Sequence, residues 1–192
     1  MSLVPARLQG RRRILVLGCG GAGKSTLARQ LGDRLALPVV HLDIQYWSSG
    51  WKPTPEPEWQ ERVQRLVTAD AWVMDGNFSG SLAIRLSRCD AVVFLDLPRW
   101  VCILSVLVRW FRYRFTARPD LPEGCPEKID LEFLRWVWNF PQRSRQKVLD
   151  VIERAAPAVE VLQLTRRAQT RALLEALPPR RRASGQVLNA RR

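Results

Sequence analysis

The segment GCGGAGKST, residues 18–26, directly follows the apolar run ILVL and directly precedes a stretch in which leucines recur at helical spacing. It matches the pattern Gly-x-x-x-x-Gly-Lys-Ser in the setting that this pattern requires, after a strand and before a helix. Glycines let backbone N–H groups turn inward around an anion, and the new helix adds its own unpaired N–H groups. The segment therefore predicts a loop that binds a polyphosphate.

Short apolar runs alternate with helical patterns along the rest of the chain. They predict strands at residues 14–17, 39–42, 71–74, 91–95 and 159–164. Strands that alternate with helices favour an α/β fold with a parallel sheet, whose ligands bind at the carboxyl ends of the strands. The Trp- and Pro-rich segment 47–57 is predicted to be a loop, and 100–113 a helix. Pro141 is expected to kink or end the helix that Asp130 caps.

The length of 192 residues and the apolar content of 46% predict one domain, 1–178, that contains this loop, followed by a basic, disordered tail, 179–192. The chain has 31 Lys and Arg against 18 Asp and Glu, a net charge of +13. Without the five Arg of the tail the balance is 26 against 18, or +8, so the excess is not only a property of the tail. It suits an anionic partner, although a generally Arg-rich proteome is an alternative explanation.

Cysteine usage and hydropathy indicate a cytoplasmic protein. The four cysteines are scattered without a C-x-x-C pair, which fits a reducing compartment, and the first residues lack the apolar segment of a signal peptide. The longest apolar run, 101–108, is far shorter than the ~20 residues of a membrane span. We considered 100–113 as a basic amphipathic helix on a membrane surface. The run is apolar on nearly all sides, however, and burial inside the domain is expected instead, so no membrane partner is predicted.

The Gly-x-x-x-x-Gly-Lys-Ser pattern predicts roles for individual residues. Lys24 is predicted to contact the β- and γ-phosphates of ATP, and the Ser25 hydroxyl to bind Mg²⁺. The residues predicted to bind the nucleotide here are Gly18, Gly20, Gly21, Ala22, Gly23, Lys24, Ser25 and Thr26.

Switches, motors and phosphotransferases all use such a loop. A GTPase switch needs an N-K-x-D segment, which is absent from the sequence. A motor ATPase usually has two adjacent acidic residues after a buried strand, whereas the strands here are followed by a single one, Asp75 or Asp96. The Arg-dense segment RWFRYRFTAR, 109–118, instead favours a phosphotransferase with a basic lid over about 109–128. Its catalytic candidates, predicted to bind the transferring phosphate, are Arg109, Arg114 and Arg118. A solvated basic helix face is the alternative.

Asp43 follows the second predicted strand, on the same edge of the sheet as the loop. A carboxylate there can accept the proton of an attacking hydroxyl, so Asp43 is predicted to be catalytic and favours a hydroxyl acceptor. A simple turn-capping role is the alternative. His41, the only histidine, is expected to be a packed strand-end residue. Trp47 and Trp51 follow in the acceptor loop and could stack on a substrate or anchor a flap.

Several segments together resemble a known family. The stretch DGN after residues 71–74 resembles the D-G-F-P-R stretch of adenylate kinases. The segments HLDIQYW, VVFLDLPRW and RPDLPEGCPEKIDLEFLRWVWNFPQRSR are similar to a bacterial group related to adenylate kinase and often labelled DNA topology modulation protein. The likeness covers residues 12–177. It implies an adenylate-kinase-like, three-layer P-loop NTPase fold, with a five-stranded parallel sheet in the order 2-3-1-4-5.

The resemblance also implies further site residues. This strand order brings Asp75 beside Ser25, so Asp75 is implied as a second Mg²⁺ residue through water, with Asp96 as the competing carboxylate. Arg166 lies where the relatives hold adenine. Phe78 and Ser79 stand where adenylate kinases have Pro-Arg, so the Arg that would bind an AMP phosphate is missing there. Arg85 is a candidate to replace it.

These features predict an Mg²⁺-dependent, ATP-binding kinase that transfers the γ-phosphate to a hydroxyl or phosphate acceptor, for example a nucleoside or nucleotide. The alternative is a nucleotide-binding regulator that affects DNA topology or transcription without a dedicated small-molecule substrate. The basic charge permits a nucleic-acid partner. The sequence, however, contains no helix-turn-helix, zinc-finger or RNA-binding signature to support one.

Overall fold

A computed structural model describes residues 6–116, 120–127, 130–155 and 159–178. The predicted tail, 179–192, lies outside them. The strands are β1 (Arg13–Gly18), β2 (Val39–His41), β3 (Trp47–Ser48), β4 (Lys52–Pro53), β5 (Trp72–Asp75), β6 (Ala91–Leu95) and β7 (Glu160–Leu164). The α-helices are α1 (Lys24–Leu35), α2 (Leu42–Tyr46), α3 (Glu56–Val67), α4 (Leu82–Leu86), α5 (Arg99–Tyr113), α6 (Leu131–Arg143), α7 (Arg145–Ala155) and α8 (Arg167–Glu175).

Five strands form one parallel sheet in the order β2-β5-β1-β6-β7. The predicted five-stranded parallel sheet is thus confirmed. The numbering differs from the expected 2-3-1-4-5 because β3 and β4, which were not predicted, form a separate antiparallel hairpin inside the supposed loop 47–57. In the sheet Val16 pairs with Asp75, and Asp75 pairs with His41, so the carboxyl ends of β1, β5 and β2 lie side by side.

The core is built around the central strands. Every residue of β5 and β6 is buried, and so are residues 14–18 of β1. Continuous apolar runs of this kind arise where helices cover both faces of a parallel sheet. In α1, Leu27 and Leu31 are buried one turn apart, which orients the helix and therefore positions its first turn at the carboxyl edge of β1.

Pro141 lies inside α6 and does not end the helix at its own position. The helix continues to Arg143. Proline has no N–H to donate to the carbonyl four residues earlier, which here belongs to Val137. That carbonyl accepts a hydrogen bond from the Sγ of Cys19 at 3.6 Å instead. The missing helical bond is therefore replaced by a contact with the glycine-rich loop.

The predicted burial of the 101–108 run is wrong. In α5 only Cys102 and Val106 are buried, while Leu104 and Val108 are exposed. The reason is that a helix packed against a domain on one side buries only one stripe, even when all its faces are apolar. Over the part of the chain that the structure covers, no helix combines the length and apolar character needed to cross a membrane.

Candidate active site

The loop between β1 and α1 has the backbone form expected of an anion site. Gly21 and Gly23 have positive φ angles of 79° and 94°, which side chains with a Cβ rarely adopt. Gly23 is the N-cap of α1 and brings no side chain to its first turn. The unpaired N–H groups of that turn, together with the positive end of the helix dipole, are therefore available to phosphate oxygens.

Two helices hold this loop in place. A Cβ on Gly21 would lie 2.3 Å from the carbonyl oxygen of Cys102 in α5. A Cβ on Gly20 would lie 2.8 Å from the ring of Phe133 in α6. Gly21 therefore needs to be glycine for close packing with the backbone of α5, independently of any ligand, whereas at Gly20 the Phe133 ring would have to shift.

Lys24 is half-buried at the start of α1, and its Nζ donates a hydrogen bond to the carbonyl oxygen of Cys19 at 3.0 Å. Its ammonium group is thus held over the loop that precedes it. Ser25 and Thr26 follow on the first turn of α1 and border the same open space. The predicted phosphate-binding residues 20–26 therefore all line one cleft, whereas Gly18 lies behind it.

Gly18 connects the loop to the segment after β5. Its N–H donates to Oδ1 of Asn77 at 3.1 Å. Asn77 also borders the cleft, so one side chain both supports the loop and faces the ligand space. No role was predicted for Asn77. The DGN sequence, 75–77, indicated a turn after β5. Its position beside the glycine-rich loop follows from the parallel pairing of β1 with β5, which the residues of the turn do not specify.

Arg85 supports the same segment from inside the protein. It is 0% exposed and donates to the carbonyl oxygens of Gly76 at 2.9 Å, Phe78 at 2.9 Å and also Asn77. Burial lowers the pKa of Arg85 to about 9. Its donors are directed to the backbone and it does not border the cleft, so the geometry does not place it where it would bind an acceptor phosphate.

His41 and Asp75 form a buried pair at the carboxyl edge of the sheet. Their Nδ1 and Oδ1 atoms are 2.5 Å apart, and both side chains are 5% exposed. A carboxylate only accepts hydrogen bonds, so the ring nitrogen is the donor. Burial alone would lower the pKa of His41, but the hydrogen bond and charge of Asp75 raise it above its ordinary value. Asp75 therefore has one oxygen engaged and does not itself border the cleft.

Asp96, the alternative to Asp75 as a magnesium-binding residue, holds the first residue of α7 against the sheet. Arg145 donates to it through Nε at 2.8 Å and Nη2 at 2.7 Å, and Gln163 through Nε2 at 2.6 Å. Burial would raise the pKa of Asp96, but these hydrogen bonds outweigh it and hold that pKa below the ordinary value. This pairing favours a structural role over magnesium binding.

A single cleft of about 1490 Å³ runs along the carboxyl edge of the sheet and joins the glycine-rich loop to the predicted acceptor side. Asp43, in the first turn of α2, borders it together with Trp47 and Trp51. The loop residues and Asp43, which were predicted separately, are thus brought into one space.

Two segments meet over the acceptor side of this cleft. The hairpin turn donates from the N–H of Gly50 to the carbonyl of Gly124 at 2.9 Å, and from Nε1 of Trp51 to the carbonyl of Pro126 at 3.3 Å. In return, Sγ of Cys125 donates to the carbonyl of Ser48 at 3.2 Å. The EGCPE segment inside the predicted lid therefore closes against the β3–β4 hairpin, a contact that sequence reasoning did not predict.

The predicted lid arginines differ in position. Arg109 borders the cleft and pairs with Glu127 through Nε and Nη2, both at 2.8 Å. Arg114 is exposed, stacks on Phe111 and Phe115 with its guanidinium 4.2 and 4.8 Å from the ring centroids, and does not border the cleft. Arg118 lies outside the described residues.

At the other end of the cleft, Arg166 caps α8 and does not border the space. Arg167 and Arg171 on that helix do, and Arg167 donates to the hydroxyl of Ser105 on α5 at 2.5 Å. These two arginines were missed. Arg167 directly follows the predicted Arg166, and Arg171 lies four residues after Arg167 on the same helix face.

The residues present suit a hard cation shared with phosphates. Magnesium is commonly held by one or two protein oxygens together with substrate phosphates and water. The hydroxyl of Ser25 borders the cleft, whereas Asp75 would act only through water because it lies behind it. Within the described ranges no cluster of three His, Cys, Asp or Glu side chains could hold a metal by itself.

The strand–loop–helix unit with Lys24 and Ser25, at the centre of a parallel sheet covered by helices, defines a P-loop α/β protein. The chain is 30% identical to the uncharacterized protein YqaC of Bacillus subtilis, over 66% of this chain and 71% of that protein. It belongs to the same family as YqaC, a family of the P-loop kinase-like type.

Two further proteins are similar to it. The adenylate kinase of Gloeobacter violaceus is 27% identical, over 62% of this chain and 71% of that enzyme. A structure of shikimate kinase from Acinetobacter baumannii in complex with shikimate has the same fold, with a TM-score of 0.54 and 16% identity over 89% of this chain and 93% of that one. No family model matches the chain.

Proposed function

We propose that this protein is an Mg²⁺-dependent ATP phosphotransferase that transfers the γ-phosphate to the hydroxyl of a small acceptor. The observation that carries the proposal is the continuity of the cleft, in which Lys24 and Ser25 border the same space as Asp43. A nucleotide switch needs only the phosphate end of such a cleft. A carboxylate at the opposite end is what a transferase needs to handle an acceptor.

In the proposed reaction the acceptor hydroxyl gives its proton to the Asp43 carboxylate while its oxygen bonds to the γ-phosphorus. The bond from that phosphorus to the bridging oxygen breaks, and ADP leaves. Lys24 binds the β- and γ-phosphates, with Arg109 on the lid side of the cleft. Arg167 and Arg171 contact the donor end. Arg114 and Arg118 stay predictions for this step, and Arg166 stays a prediction for holding the adenine.

Ser25 would hold Mg²⁺ directly, with Asp75 behind it through water. The ion, when bound, neutralises charge on the phosphates. His41 fixes the orientation of the Asp75 carboxylate by its hydrogen bond. The closure of the EGCPE segment on the β3–β4 hairpin excludes water from the acceptor side, which limits hydrolysis of ATP as a competing reaction.

We also infer that the chain belongs to the group labelled DNA topology modulation protein. The support is the EGCPE and FLRWVWNFP segments, and the first of these has a specific contact with the β3–β4 hairpin. This membership does not name the acceptor. The Asp43 carboxylate at the acceptor end of the cleft favours a hydroxyl acceptor.

The test is transfer of label from γ-labelled ATP to a pool of small metabolites. We expect a labelled product with the wild type, and at least a ~100-fold loss of the rate in Lys24→Met, because a phosphate-binding cation is removed. Lys52→Met, at an exposed residue of β4, is the matched control. Asp43→Asn should still bind ATP but lose transfer. Full transfer by Lys24→Met, or ATP binding with no labelled product in any pool, would contradict the proposal.

A further inference from the structure

The exposed large apolar side chains of the described residues are concentrated in one place. All nine of them lie on α5, on α6 or at Phe115, two residues after α5. Six belong to one stretch: Trp100 (60% exposed), Leu104 (54%), Leu107 (38%), Val108 (68%), Phe111 (64%) and Phe115 (85%). We refer to these six as the α5 face.

The α5 face is continuous. Its members follow one another at spacings of four, three, one, three and four residues, which brings them to one side of a helix with 3.6 residues per turn. Trp138 of α6 extends it at one end, since the guanidinium of Arg99 lies 4.6 Å from the Trp138 ring centroid. A contiguous apolar surface of this kind is unusual on a monomeric protein and marks an interaction site.

The border of the α5 face is basic. Arg112 and Arg114 flank it, Arg114 with its guanidinium over the Phe111 and Phe115 rings. Helix α5 contains no acidic residue. Long arginine side chains beside an apolar face can extend to anionic groups while their stems remain in apolar surroundings. The partner of this face is therefore both apolar in its interior and anionic at its surface.

A second copy of the chain does not fit that description. Pairing two α5 faces would bring Arg112 and Arg114 of one copy against arginines of the other, in a molecule with a net charge of +13. Like charges brought together in this way oppose association. The face also offers few hydrogen-bonding groups, Trp100 being its only member with a polar atom, whereas protein interfaces typically contain about ten hydrogen bonds.

We propose that the α5 face docks this protein on the surface of an anionic phospholipid bilayer. Aromatic and leucine side chains with arginines at the border are the composition of helices that lie in the membrane interface. Fifteen residues of α5 are too few to span the hydrocarbon layer, so the helix lies along the surface. Trp100, Leu104 and Val108 also border the cleft, so the docked surface includes one of its walls. The proposal reverses the sequence-based prediction of no membrane partner, because the burial on which that prediction depended is absent.

The experiment is co-sedimentation of the full chain with vesicles, one set of phosphatidylcholine alone and one that also contains phosphatidylglycerol. We expect binding to the anionic vesicles and much weaker binding to the neutral ones. Phe111→Ser combined with Phe115→Ser should lower the partition coefficient at least ~10-fold, because each aromatic ring loses its apolar contact. Both residues are exposed and lie outside the cleft, so the fold should be retained, which circular dichroism checks.

Charge is tested separately. Arg114→Gln should weaken binding to anionic vesicles, whereas Arg88→Gln, an exposed arginine after α4, should weaken it less. Equal partition of the wild type and the double Phe variant would overturn the proposal, since the basic charge alone would then explain binding. Absence of binding to anionic vesicles would overturn it as well. Self-association of the wild type that the Phe substitutions abolish would assign the face to a second copy instead.

Discussion

Gly21 and Gly10 have almost the same φ angle, 79° and 77°, but different surroundings. A Cβ on Gly21 would meet the Cys102 carbonyl oxygen at 2.3 Å, whereas a Cβ on Gly10 would meet nothing within 4 Å. Gly21→Ala should therefore lower the free energy of unfolding by roughly 1–3 kcal/mol more than Gly10→Ala, because both add backbone strain but only one adds overlap.

Denaturant unfolding of both variants measures this difference, and nucleotide binding should fall only in Gly21→Ala. Equal losses of unfolding free energy in the two variants would show that α5 can move to accommodate the new Cβ. Packing against α5 would then not fix the position of the loop.

Arg85 is a second residue whose importance comes from the backbone it holds. Arg85→Met removes the Arg85 donors from the carbonyls of Gly76, Asn77 and Phe78, of which Phe78 keeps its hydrogen bonds from Ser81, so we expect a loss of about 3 kcal/mol in unfolding free energy. Arg88→Met, three residues later and exposed, should change it by less than about 0.5 kcal/mol. Similar values for the two variants would mean that the segment after β5 holds its shape without Arg85.

Functional residues could be predicted where all of them lie in one continuous motif. They were missed where their role depends on contacts between two segments. Lys24 and Ser25 lie in a motif whose backbone form follows from its glycines. Asn77 and Arg85 act through hydrogen bonds to atoms of other segments or to carbonyls seven to nine residues earlier. Such partners depend on strand pairing and helix packing, which composition and spacing do not specify.

Helix α7 is attached to the sheet by the Asp96–Arg145 pair, and this attachment should depend on pH. The folded-state pKa of Asp96 lies below its unfolded value of about 3.9. Its contribution is therefore present above about pH 4 and is lost as the pH falls through the folded-state pKa. Asp96→Asn should cost about 1–2 kcal/mol at pH 7. Between pH 5 and pH 2 the stability of the wild type should fall more than that of the variant.

Urea unfolding across this pH range checks the prediction. Glu61→Gln is the control, because its partner Arg65 is 3.7 Å away and both side chains are at least 65% exposed. A surface pair of this kind contributes little. Parallel pH curves for the wild type and Asp96→Asn would contradict the attachment.

At the level of elements, the central strands were the easiest to predict. β5 and β6 are buried on both faces, so their apolar runs are unbroken, and such runs between helical patterns have few other interpretations. The β3–β4 hairpin consists of two-residue strands, too short for any periodicity, and it is hydrogen-bonded to the EGCPE segment far along the chain. The exposure of α5 was mispredicted because an apolar helix can face either a core or a partner.

On the scale of the whole molecule, the net charge of +13 makes some affinity for DNA unavoidable, and its salt dependence distinguishes an enzyme from a DNA-binding regulator. If the charge acts only by releasing counterions, contact with about six phosphates lowers the affinity on the order of 10³-fold between 50 and 200 mM salt. We expect this steep loss, with the same affinity for unrelated duplexes, since specific recognition requires side chains at base edges and no such motif is present in the sequence. Fluorescence anisotropy with two duplexes over a salt series measures both quantities. Binding that persists at 200 mM salt and prefers one duplex would instead favour the regulatory function, and a change in that preference on adding ATP would connect it to the cleft around Lys24.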